Sequence, residues 1–161
     1  MIGLNDYNFS NKKAIVRVDF NVPIKDGKVS DDTRIKAALP TINKVIADGG
    51  SVILMSHLGR PKGKDENLSL ALVANHLKSL VDVPVAFAKD CTGSIATDAA
   101  KNLNNKEILL LENLRFYKEE TAGDVDFAKQ LASLADCYIN DAFGTAHRAH
   151  ASTTIIAQFF P

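Results

Sequence analysis

Residues 14–18 (Ala-Ile-Val-Arg-Val), 51–56 (Ser-Val-Ile-Leu-Met-Ser) and 108–111 (Ile-Leu-Leu-Leu) are apolar runs of four to six residues. Such runs are too short for helices and too continuous for strands with one wet face, so they read as strands buried on both faces. Between them lie longer stretches with apolar residues at helical spacing. After Ser30, Asp31 and Asp32, which offer N-caps, comes the stripe Ile35, Ala38, Leu39, Ile42, Val45 and Ile46, closed by Gly49-Gly50. Pro40 inside it should kink the helix or mark its effective start. Ser69 caps a second stripe, Leu70, Val73, Ala74, Leu77 and Val81. Strands alternating with helices of this length imply a parallel sheet covered on both faces. The expected fold is a three-layer α/β/α, Rossmann-like domain with a mainly parallel sheet of about six strands and right-handed crossovers. In such sheets the ligand crevice lies beyond the carboxyl ends of the strands.

The remaining elements fit that alternation. Lys25-Asp26-Gly27-Lys28 carries an Asp-Gly turn and predicts a small hairpin beside the main sheet. Residues 83–87 form a Pro-containing strand suited to an edge. A helix over about 94–103 should turn Ile95, Ala96, Ala99, Ala100 and Leu103 inward. Residues 108–111 read as a central strand, 125–134 as a helix and 137–140 as another strand. The chain ends in an apolar segment, Ile155 to Phe160, that reads as one without its packing partner.

Formal net charge is zero, which argues against a nonspecific nucleic-acid binder or a membrane-surface protein. The start has neither a basic n-region nor an apolar h-region, and no run approaches a membrane span. Cys91 and Cys137 form no CxxC and have no metal-ligand spacing; a reduced, cytoplasmic setting fits best. Cys137 reads as a small core residue, and Cys91 stands where a helix start would mildly activate a thiol.

In the stretch 14–23 the polar residues Arg17, Asp19 and Asn21 recur at every second position, so Asp19 and Asn21 would share a face at the strand's end. Taken alone, the pair is either part of a site or a polar strand end facing water. The arginines help to decide. There are five against fourteen lysines, and the two types are placed differently. Arg60, Arg115 and Arg148 follow predicted strands, Arg34 opens the first long helix, and only Arg17 lies within a strand. His57, His147 and His150 fall in the same loops. Lysines occupy helix faces and turns. A guanidinium fork grips carboxylate and phosphate in bidentate fashion, so one rim rich in arginine and histidine suits a small, multiply charged anion. No GxxxxGK[ST], no GxGxxG after a strand, no HExxH and no GxSxG is present. Residue chemistry thus gives an anion-binding α/β domain of unspecified reaction.

Five stretches together resemble the phosphoglycerate kinase family: Ile15-Val16-Arg17-Val18-Asp19-Phe20-Asn21-Val22-Pro23, Asp32-Thr33-Arg34-Ile35, Ser56-His57-Leu58-Gly59-Arg60-Pro61, Glu112-Asn113-Leu114-Arg115-Phe116, and Asn140 through His150. They recur in order along essentially the whole chain. The resemblance implies a glycolytic phosphotransferase that moves a phosphoryl group between 1,3-bisphosphoglycerate and MgADP, giving 3-phosphoglycerate and MgATP. It implies that residues 1–161 are the N-terminal, phosphoglycerate-binding domain, with the nucleotide-binding C-terminal domain absent. Asp19 and Asn21 would face the glycerate's hydroxyl and carboxylate. His57, Arg60, Arg115 and Arg148 would grip its phosphate, and Arg34 would be the catalytic arginine. Asp19 would also orient a neighbouring arginine. Arg17 lies deeper in the strand and would support the site or pair with a local carboxylate rather than bind ligand. Mg2+ would come with ATP or ADP in the other domain, and no metal would bind this chain. The full enzyme would be a cytoplasmic monomer. The isolated chain would lack turnover because it cannot close on a second domain. The alternative kept beside this is a non-catalytic small-anion-binding or regulatory module.

Overall fold

The computed structural model describes residues 4–142 and 149–160. Five strands form one parallel sheet: β1 (Lys13–Val18), β4 (Ser51–Met55), β5 (Val85–Ala88), β6 (Ile108–Leu111) and β7 (Cys137–Asp141), in the spatial order β5-β6-β4-β1-β7. Two further short strands, β2 (Ile24–Lys25) and β3 (Lys28–Val29), pair antiparallel as the hairpin the Asp-Gly turn predicts. Asp26 and Gly27 both have positive φ, 54° and 74°, as a two-residue hairpin turn matching strand twist requires. Among the described residues the main sheet has five strands, where about six were expected. The Pro-containing strand β5 is an edge, as expected. β6 is an interior strand but second from that edge; β4 holds the middle.

The interior strands are buried on both faces, and their residues alternate between two cores. Ala14, Val16 and Val18 of β1, Val52 and Leu54 of β4, and Ile108 and Leu110 of β6 face one side. There they meet Ile35, Ile42 and Val45 of α1 (Thr33–Ala47) and Val73 and Leu77 of α2 (Ala71–Lys78). Ile15, Ile53, Met55, Leu109 and Leu111 face the other. That side is covered by α3 (Gly93–Lys101), α5 (Val125–Ala132) and the terminal 3-10 helix Ile155–Phe159. This is the three-layer arrangement that the apolar runs predict. Each fully buried Leu or Ile contributes about 1.5–3 kcal/mol of transfer free energy, so two continuous cores hold the sheet between its helices.

Several local expectations change. α1 runs unbroken from Thr33 to Ala47 with Pro40 inside it, so the proline is not the helix's start. Asp32 occupies the N-cap position without capping; its carboxylate pairs instead with His76 Nε2 at 2.8 Å, while Asp31 accepts from Thr33 N. Ile95, expected inward, is half exposed, and α3 packs through Ala96 and Ala100. A helix missed in the sequence, α4 (Lys118–Ala122), follows the polar loop after β6. The C-terminal apolar segment does find partners: Ile156 is fully buried, and Phe160 stacks on Tyr138 with ring centroids 6.0 Å apart.

The entry to β4 is a close approach of backbones. A Cβ on Gly50 would lie 2.5 Å from the Phe9 carbonyl oxygen and 2.9 Å from that of Lys12. Backbone cannot move aside as a side-chain tip can, so Gly50→Ala should destabilise the fold by about 1–3 kcal/mol, read as a lower urea midpoint with an unchanged m-value.

Candidate substrate-binding site

β1 ends at Val18, so Asp19 and Asn21 lie beyond the strand rather than on its pleat. They face each other through a local turn: Asn21 N donates to Asp19 Oδ1 at 3.2 Å. The residues following β1 and β4 are then tied together. Gly59 N donates to Asn21 Oδ1 at 2.9 Å, and Phe20 N donates to Ser56 Oγ at 2.9 Å. Arg34, in the first turn of α1, reaches back over this junction. Its terminal nitrogen donates to Asn21 O at 2.9 Å and lies 3.3 Å from Asp19 Oδ1. Arg34 remains half exposed, so the ion pair orients its guanidinium more than it stabilises the fold.

The residues after β6 add the third side. Leu114 N donates to Ser56 O at 3.0 Å. Asn113 is fully buried and spends its whole amide on the loops around it. Its Oδ1 accepts from Leu58 N and Arg115 N (3.2 and 3.0 Å), and its Nδ2 donates to Leu58 O and Leu68 O (2.8 and 2.9 Å). Beside it the buried Glu112 carboxylate accepts from Leu70 N and Ser69 Oγ at 2.9 and 2.7 Å. Residues 112–113 thus fix the spacing between the loop bearing Arg60 and the short 3-10 helix Leu114–Phe116 bearing Arg115. Those two arginines line one open cleft of about 550 Å³ with Lys62, Tyr117, Lys118 and Glu119. It is a space fit for a small phosphorylated anion, with four cationic side chains around it.

Beneath this rim lies Arg17, wholly buried. It contacts Ser152 Oγ, the Val18 carbonyl and, at 2.9 Å, His57 Nδ1. Burial pushes its pKa below the ordinary guanidinium value, with Glu120 acting in the opposite direction.

The structure brings the expected residues together in two adjoining groups. Asp19, Asn21 and Arg34 form one, Arg60 and Arg115 line the cleft of the other, and buried His57 lies on the loop that joins them. Arg148 and His147 fall outside the described residues. Cys91 is not an activated thiol: it is buried in the second core, and burial pushes its pKa well up. Cys137 is only half buried, and its pKa rises to about 11, again chiefly by burial. Asn113, Glu112 and Ser56 have no role assigned from the sequence. Their visible signals were membership of the family-like stretches and position, as polar residues set immediately after fully buried strands. Among the described residues no group of three or more His, Cys, Asp or Glu side chains could hold a metal ion.

The chain is a three-layer parallel α/β domain with a cluster of cationic side chains at the carboxyl end of its strands. The phosphoglycerate kinase family model matches residues 4–161, and the chain belongs to that family. It is 53% identical over 161 residues to a phosphoglycerate kinase of Dictyoglomus turgidum, covering all of this chain and 41% of the relative. It is 57% identical over 159 residues to one of Moorella thermoacetica, covering 98% and 40%. Among solved structures, the phosphoglycerate kinase of Pyrococcus horikoshii superposes with a TM-score of 0.89 at 38% identity, covering all of this chain and 41% of that one. That of Coxiella burnetii gives 0.83 at 39% identity, over 96% and 38%. The chain spans about two fifths of the length of these relatives.

Asn113→Ala would strand several buried backbone groups at once. It should cost about 2–4 kcal/mol, measured by urea unfolding. Asn113→Asp, which sets a carboxylate oxygen against the Leu58 and Leu68 carbonyls in a fully buried site, should be at least as destabilising.

Proposed function

We propose that this chain supplies the phosphoglycerate site of a phosphoglycerate kinase. The observation that carries this reading is the convergence, on one edge of the sheet, of the Asp19–Arg34 pair with a cleft lined by Arg60 and Arg115. Membership of the family supplies the ligand. On this reading 3-phosphoglycerate or 1,3-bisphosphoglycerate is the partner, the nucleotide and its Mg2+ are held by a second domain, and the enzyme works in the cytoplasm.

The residues divide by charge. Arg60, Arg115 and Arg148 hold the non-transferring phosphate, and His57 adds a hydrogen bond there. Asn21 and Asp19 face the glycerate end. A carboxylate beside an anion repels it, so Asp19 acts by accepting the substrate hydroxyl's hydrogen bond and by fixing Arg34. Arg34 is half exposed and held on one side only, which leaves the rest of its fork for the transferring phosphoryl group. In the direction that consumes ATP, an oxygen of the ionised substrate carboxylate forms the new P–O bond to the γ-phosphorus. The bond to the bridging oxygen breaks, and ADP takes the electron pair. No general base is needed, because the nucleophile carries no proton at neutral pH. The protein's task is placement and neutralisation of charge. Removing a donor placed as Arg34 is costs about 10²–10³ in kcat. Turnover requires closure on the nucleotide, so this chain alone binds without turning over.

Calorimetric titration with 3-phosphoglycerate tests the reading. The wild type should bind, Arg34→Ala and Arg60→Ala should each weaken binding about 10-fold or more, and Lys78→Ala, on the exposed side of α2, should leave it within about twofold. Absence of heat at millimolar ligand would refute it.

A further inference from the structure

Arg17 is the largest of the fully buried side chains and belongs to neither group of ligand-facing residues. It sits on the β1 face that looks toward α5 and residues 149–160. Its Nε donates to Ser152 Oγ at 2.9 Å, and one terminal nitrogen donates to the Val18 carbonyl. The other terminal nitrogen lies 2.9 Å from His57 Nδ1. Ser152 in turn gives its N–H (2.9 Å) and its hydroxyl to the carboxylate of Glu120, which is also fully buried. A buried cation and a buried carboxylate are therefore bridged through one serine, joining β1, α4 and the segment that follows Arg148. An apolar residue in place of such a pair is often the more stable choice, so fold stability alone does not account for an arginine here.

A guanidinium has five donors and no acceptor. Whatever lies within hydrogen-bond reach of it must accept, so Nδ1 of His57 uses its lone pair toward Arg17. The single proton of a neutral imidazole then resides on Nε2. We propose that Arg17 is a positioning residue that holds His57 as the neutral Nε2–H tautomer, so that His57 meets the anionic ligand as a hydrogen-bond donor and neither as an imidazolium nor as a base. The tautomer is argued from the Arg17 contact, and the identity of the ligand rests on the function proposed above. The arrangement parallels the way a histidine's second nitrogen is commonly fixed by its partner, with a donor here taking the place of the usual acceptor and reversing the tautomer.

Long-range 1H–15N correlation spectra of the wild-type protein read the tautomer directly, with the His57 signals assigned by their loss in His57→Gln. The expected pattern at neutral pH is a protonated Nε2 and an unprotonated Nδ1. An Nδ1–H form, or a doubly protonated ring, would overturn the proposal with no variant needed. Arg17→Lys retains the charge, but one ammonium cannot span Ser152, Val18 and His57 together. It should mix the His57 tautomers and weaken 3-phosphoglycerate binding about tenfold. Weakened binding with His57 15N shifts unchanged would also overturn the proposal, since Arg17 would then act by another route. A wild type with the expected tautomer that binds no 3-phosphoglycerate refutes the substrate reading and leaves the tautomer standing.

Discussion

Parallel pairing of β1 with β4 on one side and β7 on the other puts Arg17 opposite Met55 and Val18 opposite Asp141, so the chain leaves three neighbouring strands at one level. Every described site residue depends on that register. Where β1 stops, Asp19 and Asn21 turn over the sheet edge; where β4 stops, Ser56 and His57 lie beside them. The residues after β6 close the group from the third side. A slip by one position would invert the alternation that sends Val16 and Leu54 to one core and Ile15 and Ile53 to the other. The two cores thus fix the register, and the register fixes the rim.

Above that edge the geometry is held by hydrogen bonds rather than by packing. Asn113 joins the residues that carry Arg60 and Arg115, Asn21 joins the exits of β1 and β4, and Arg17 stands under His57. Asn113 and Arg17 are fully buried, so a hydrogen bond lost there leaves a partner that water does not reach, at about 1–3 kcal/mol apiece; Asn21 is only partly buried. Arg34 differs. It is tethered to Asp19 and Asn21 yet half exposed, which suits a group meant to meet a ligand arriving from solvent.

Much of the fold was legible because the apolar runs at 14–18, 51–56 and 108–111 obey a simple rule for strands covered on both faces. The placing of the arginines among many lysines pointed to Arg34, Arg60 and Arg115, which lie near the carboxyl edge of the sheet; Arg17 is buried beneath them, and Arg148 lies outside the described residues. What escaped the sequence is non-local or subtle. Asp19 and Asn21 read as strand alternation, but their geometry comes from a turn after the strand. Ile95 matched a helical stripe, yet small residues on α3 make the contact. The role of Arg17 depends on Glu120 and Ser152, more than a hundred positions away in the chain, and no local pattern announces such a pairing. Asn113 was visible as part of a motif, but its four partners were not.

The claim on which the account rests is that the carboxyl edge of this sheet is a phosphoglycerate site. The most direct measurement is a 1H–15N chemical-shift titration of the wild-type chain with 3-phosphoglycerate. Saturable shifts should concentrate at residues 19–21, at Arg34, at 57–60 and at 113–117. Shifts confined to the opposite edge, around the smaller cleft lined by Lys13, Lys101 and Asp136, would contradict it.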